Sequence, residues 1–65
     1  MRLMTTRRMA AVLDDLPATT VITVLRPPQG RYPQQRLEVR ASSYAPCPGD
    51  LVTVNQTQYQ IVTEP

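Results

Sequence analysis

The chain has 65 residues with seven arginines, no lysine, no histidine and a single cysteine, and its formal net charge is +2. One cysteine excludes an internal disulfide, and without histidine there is no zinc-ligand set. A domain of this size buries only about 60% of the surface that its unfolded chain exposes. Such domains can fold alone, but many are stabilised by disulfides, a metal or assembly with other chains. Because the first two are excluded, we expect assembly here.

The sequence contains no membrane-spanning segment, because no stretch approaches the roughly 18 apolar residues that a span requires. Near the start, arginines precede a short apolar run over 9–13, which Asp14 and Asp15 end at once. That run is too short for a secretory signal. The sequence therefore predicts a soluble intracellular protein with no membrane partner.

The first predicted element is a helix within an N-terminal segment of residues 1–17. Its apolar residues repeat at intervals of three and four, as on one face of an amphipathic helix. They are Met9, Val12, Leu13 and Leu16. Thr5 or Thr6 is suited to cap the start, and Pro17 follows the last turn. Arginines lie in the first turn and aspartates in the last, which opposes the helix dipole. We therefore expect the helix to need docking on the sheet or a neighbouring chain.

Residues 18–65 are predicted to form a β domain. Residues 19–26 are rich in β-branched side chains and end at two prolines, which predicts a first strand. Residues 27–35 contain three prolines and predict a long exposed loop with little structure of its own. Residues 36–40 then alternate strictly, with Leu37 and Val39 facing inward.

The strongest pattern is a β-hairpin formed by residues 51–54 and 57–62. With Asn55 and Gln56 as a two-residue loop, Val54 lies opposite Thr57, Val52 opposite Tyr59 and Asp50 opposite Ile61. One face then carries Val52, Val54, Tyr59 and Ile61. The other face is mostly polar but has few charges, which indicates a surface for a partner.

Together these elements predict one mainly β (α+β) domain. We expect a small antiparallel sheet that forms a partial barrel or sandwich, with one short N-terminal helix against one side.

The residue types for catalysis are missing. Without histidine or lysine the only candidate bases are five scattered acids, so we expect no enzyme activity, no small-molecule substrate and no cofactor or metal. Gly30 and Gly49 are isolated, so no phosphate-binding loop is predicted. Cys47, between two prolines, is expected to be a semi-buried turn residue, and Asp50 to accept amide hydrogens of the turn.

The charge pattern supports a binding function better than the residue types support catalysis. Residues 1–40 hold all seven arginines and three acids, whereas residues 41–65 hold only Asp50 and Glu64, which predicts an acidic face. The candidate partner-binding residues of the basic part are Arg26, Arg31, Tyr32, Arg36 and Arg40. An aromatic among arginines suits single-stranded nucleic acid and equally a protein interface. The codon usage of a GC-rich genome would also favour arginine over lysine.

About half of the chain resembles the small head-tail connector (attachment or joining) proteins of bacteriophages and prophages. The resemblance lies in the strand over 36–40, the Gly49-Asp50 turn with the strand that follows it, and the partner strand over 59–62. It implies a non-enzymatic virion subunit, in the virion or the bacterial host cytoplasm. Such a subunit forms a ring with copies of itself between portal or adaptor proteins and tail proteins, and packaged DNA is a further candidate partner.

Two other classes of function remain open on the sequence. One is a small SH3-like or OB-like barrel that binds nucleic acid or a protein through Arg26, Arg31, Tyr32 and Arg36. The other is a small regulator or inhibitor that acts by protein contact.

Overall fold

The computed structural model describes residues 1–63, which form one five-stranded sheet and one α-helix. In chain order the elements are β1 (Arg2–Thr5), α1 (Thr6–Asp14), β2 (Val21–Arg26), β3 (Gln35–Arg40), a short 3-10 helix (Ala41–Ser43), β4 (Leu51–Val54) and β5 (Thr57–Val62). The expectation of a mainly β fold with one short helix is confirmed. The sheet is mixed rather than purely antiparallel, and it is not closed into a barrel.

The strands lie in the order β1-β5-β4-β2-β3, so β1 and β3 are the edges of the sheet. The sequence pattern of residues 1–17 predicts a helical segment and does not predict β1. Residues Arg2–Thr5 instead pair in parallel with β5, and Leu3 lies opposite Gln60. The helix begins directly after this strand, where Thr5 caps it by accepting a hydrogen bond from the Arg8 amide at 3.2 Å.

The core lies between α1 and one face of the sheet. Its buried apolar residues are Met9, Leu13, Ile22, Val24, Ala41, Val52, Val54 and Ile61. Met4, Leu16, Leu37, Val39, Tyr44 and Tyr59 pack around them. The predicted helix stripe therefore docks on the sheet, since Met9 and Leu13 are buried there. We refer to this side of the sheet as the covered face and to the other side as the open face.

The predicted hairpin is confirmed in register as well as in position. Val52 pairs with Tyr59 and Val54 with Thr57. Asn55 (φ 48°) and Gln56 (φ 69°) both adopt positive φ. Positive φ at both loop positions is what a type I′ turn requires, and its twist matches that of the strands.

Replacing Gln56 with glycine should therefore stabilise the protein. A non-glycine residue at positive φ is strained, and glycine removes the strain at a smaller entropic penalty. We expect the free energy of unfolding to rise by about 0.5–1 kcal/mol, as measured by urea denaturation. Gln58→Gly is the control, because it places glycine within β5 and should be destabilising. An equal response of both variants would contradict the turn assignment.

The loop over 27–35 has more structure than the sequence predicted. Gln29 and Tyr32 exchange two backbone hydrogen bonds, of 3.1 and 2.8 Å, and form an isolated antiparallel bridge. Gly30 (φ 55°) is the first central residue of this tight turn. The segment therefore ends in a hairpin tip, which we define as Gln29 to Tyr32, and its residues are exposed.

Candidate functional site

A buried ion pair joins β2 to the segment that precedes β4. Asp50 is fully buried and accepts two hydrogen bonds from Arg26, from Nε to Oδ1 at 3.1 Å and from Nη2 to Oδ2 at 3.0 Å. The Arg26 side chain keeps one quarter of its surface exposed, so the pair lies at the margin of the core. Such a bidentate contact fixes the orientation of both groups.

Two further donors complete the coordination of the Asp50 carboxylate. The Tyr44 hydroxyl and the Cys47 amide both donate to Oδ2. The bond to Asp50 raises the pKa of Arg26 although burial opposes this. Burial raises the pKa of Tyr44, and its bond to Asp50 raises it further, so the phenol keeps its proton and remains a donor well above neutral pH.

Backbone geometry around Asp50 holds the carboxylate in place. Residues 47–50 form a turn closed by the Asp50 amide on the Cys47 carbonyl at 3.2 Å, with Pro48 and Gly49 (φ 92°) at its centre. The Gly49 amide donates to the Ile61 carbonyl, while the Ile61 amide donates to the Asp50 carbonyl. Gly49 and Asp50 thus lie opposite the single residue Ile61, and this arrangement is a β-bulge with Gly49 in the left-handed conformation. A Cβ at Gly49 would also lie 3.2 Å from the Pro27 ring.

The prediction that Asp50 belongs to an acidic face is wrong. Its carboxylate is fully buried and hydrogen-bonded, so it presents no charge to a partner. Its expected bond to a turn amide is present, to Cys47. Glu64, the other predicted acidic residue, lies outside the described residues. The sequence carried a signal for the ion pair: Arg26 and Asp50 each continue the inward alternation of a neighbouring strand, Ile22-Val24-Arg26 and Asp50-Val52-Val54.

The predicted basic residues do not form one surface. Arg26 lies on the covered face and is engaged by Asp50. Arg36 and Arg40 pair with Leu25 and Val21 of β2, which places them on the open face. Arg31 lies in the hairpin tip, and Tyr32 beside it is 71% exposed.

A shallow cleft of about 240 Å³ lies at the base of the hairpin tip. It is lined by Arg26, Pro27, Gln29, Tyr32, Pro33 and Gln35. The lining combines an aromatic ring and two prolines with two side-chain amides and the Arg26 guanidinium. The hairpin tip is therefore an exposed, partly apolar projection at one end of the sheet.

The open face of the sheet is not covered by the helix. One row runs across all five strands: Leu3, Gln60, Leu51, Leu25 and Arg36 are successive partners in the register. Val21 and Val62 add apolar surface, and Thr23, Thr53 and Gln58 fill the next row. Leu3 is 67% exposed and Val21 63%.

Charges on the open face are confined, among the described residues, to the edge strand β3. They belong to Arg36, Glu38 and Arg40, and Arg36 pairs with Glu38 at 3.4 Å. Outward charges on an edge strand protect it from pairing with another strand. The open face thus has an apolar and amide centre with a charged rim on one side, which is the usual anatomy of a protein interface.

Within residues 1–63, no helix is long and apolar enough to cross a membrane, and no three acidic, cysteine or histidine side chains are grouped to hold a metal ion. Comparison with protein-family models, curated proteins and solved structures found no match to this chain.

Proposed function

We propose that this protein is a non-enzymatic structural subunit that assembles with copies of itself through the open face of its sheet. The observation that carries the proposal is the apolar content of that face, where Leu3 is exposed and Leu51 and Leu25 of the same row are half-buried. Exposed apolar surface with a polar rim marks an interaction site. A 65-residue chain also gains stability from covering such a surface.

The hairpin tip is the part of a second copy that we place on the open face. The large apolar residues exposed within residues 1–63 are Met1, Leu3, Val21 and Tyr32. Leu3 and Val21 belong to the open face, and Tyr32 to the tip, so each copy carries two unlike apolar surfaces. A contact between unlike surfaces is heterologous, and it closes into a ring when the rotation between copies permits.

A ring of this kind fits the connector role implied by the resemblance over 36–40, 49–54 and 59–62. In that role the assembled ring lies between the portal or adaptor of a phage head and the tail proteins. Arg31, Arg36 and Arg40 are exposed cations that partners or packaged DNA can reach, and Arg36 also pairs with Glu38. The engagement of Arg26 by Asp50 and the open sheet disfavour the alternative of a closed barrel that binds nucleic acid.

Leu3→Glu tests the assembly contact. Leu3 is already mostly exposed, so the charge should leave the fold intact but block apolar docking on the open face. We expect the self-association of the wild type, followed by sedimentation velocity at about 1 M salt, to be lost. At that ionic strength charge contacts are screened within about 3 Å. Ser43→Glu is the matched control, because it adds the same charge at an exposed position of the 3-10 helix, which packs against α1 on the covered side, and it should associate like the wild type.

Tyr32→Ser tests the other half of the contact. Alone it should also block association, because the tip loses its aromatic group. Mixed with Leu3→Glu it should form a dimer and nothing larger, because the mixture has one intact open face and one intact tip per pair. A wild type that remains monomeric at all concentrations, or a Leu3→Glu variant that associates like it, would refute this contact.

A further inference from the structure

The outer face of α1 carries a charge pattern that is complementary to itself. The exposed residues of this helix and its C-cap are Arg7, Arg8, Ala10, Ala11, Asp14 and Asp15. Positive residues thus occupy the first turn, negative residues the last, and two alanines the middle. The opposite side of the helix, with Met9 and Leu13, is buried against the sheet.

This pattern is unfavourable within a single chain. The first turn of α1 contains no acidic residue and its last turn no basic residue. Arginine near a helix N-terminus and aspartate near its C-terminus both oppose the helix dipole. The same order of charges becomes favourable when a second copy of the helix lies antiparallel to the first, since each basic end then meets an acidic end.

The spacing of the charges suits such a pair. Arg8 and Asp15 are seven residues apart, so they lie on nearly the same side of the helix, about 10.5 Å apart along its axis. A two-fold axis midway between them sets Arg8 of each copy against Asp15 of the other. Ala11, which is exposed, and Val12, which is half-buried, flank that axis, whereas Ala10 lies on another side of the helix. The short side chain of Ala11 permits the close approach of two helices.

We infer that α1 docks antiparallel on α1 of a second copy of this chain in a symmetric, isologous contact. The charge complementarity, and not the apolar character of the face, selects this occupant. The contact is independent of the proposed ring contact, because α1 and the open face lie on opposite sides of the sheet. It is small and electrostatic, so it should be weak and should disappear at high salt.

The experiment uses the full chain carrying Leu3→Glu, in which the open-face contact is blocked, at low ionic strength. Sedimentation equilibrium should detect a dimer. Adding Arg8→Glu or Asp15→Arg should each raise the dissociation constant about tenfold or more, because attraction becomes repulsion at both ends. An equimolar mixture of these two variants, and the variant with both reversals, should bind within about threefold of the parent, because opposite charges again face each other.

The thermal midpoint of each variant shows whether a loss of dimerisation is caused by a loss of folding. Arg8→Glu places an acid in the first helix turn, so its thermal midpoint should equal or exceed that of the parent. Single reversals that dimerise like the parent, a mixture that does not recover binding, or a parent that stays monomeric would each overturn the inference. None of these outcomes bears on the ring contact, which Leu3→Glu and Tyr32→Ser test at high salt.

Discussion

Replacing Arg26 with methionine should lower the free energy of unfolding by about 3–5 kcal/mol. The variant keeps most of the apolar stem but leaves the Asp50 carboxylate fully buried with no cation beside it. Breaking a buried ion pair by removal of one partner has this effect because the remaining charge is neither paired nor hydrated. Urea unfolding followed by far-ultraviolet circular dichroism measures the change.

Two variants make this result specific to the buried pair. Arg36→Met removes the same side chain from an exposed pair with Glu38 at 3.4 Å and should change stability by less than about 1 kcal/mol. Asp50→Asn leaves Arg26 without its carboxylate, but that arginine reaches solvent, so we expect a smaller loss of about 1–3 kcal/mol. If Arg26→Met were as mild as Arg36→Met, the buried pair would not stabilise the fold.

Leu13→Asp should have the second large effect, a loss of several kcal/mol or complete unfolding. Leu13 is 5% exposed and lies in the core between α1 and the sheet. The aspartate would be buried without a partner, and the apolar contact that stabilises a short helix with unfavourable end charges would be lost. The thermal midpoint by circular dichroism is the measurement.

The control for this prediction is Leu13→Met, which keeps volume and apolar character and should lose less than about 1.5 kcal/mol. An unchanged thermal midpoint for Leu13→Asp would mean that the helix is not docked on the sheet as described.

Local patterns were sufficient to predict the hairpin and the helix. Alternation across a two-residue loop fixes the register of β4 and β5, since a slip by one residue would turn Val52 and Val54 away from the core. The spacing of Met9 and Leu13 likewise determines which side of α1 is buried. These features depend on residues close together in the chain.

Long-range pairings were missed because their partners are distant in sequence. β1 has no distinct pattern of its own, and its residues become a strand only by pairing with β5, more than fifty residues later. The ion pair joins Arg26 to Asp50 across 24 residues. Local sequence alone predicts an acidic face and a basic loop, whereas the fold pairs Arg26 with Asp50 at the margin of the core.

The most direct test of the connector role is deletion of the gene from the genome that carries it, followed by electron microscopy of the released particles. The proposal predicts filled or leaking heads beside free tails. Supplying the wild-type gene in trans should restore tailed particles, as should Ser43→Glu, whereas Leu3→Glu should not. Complete, infectious tailed particles from the deletion strain, or a parent genome that yields no phage particles, would contradict the proposal.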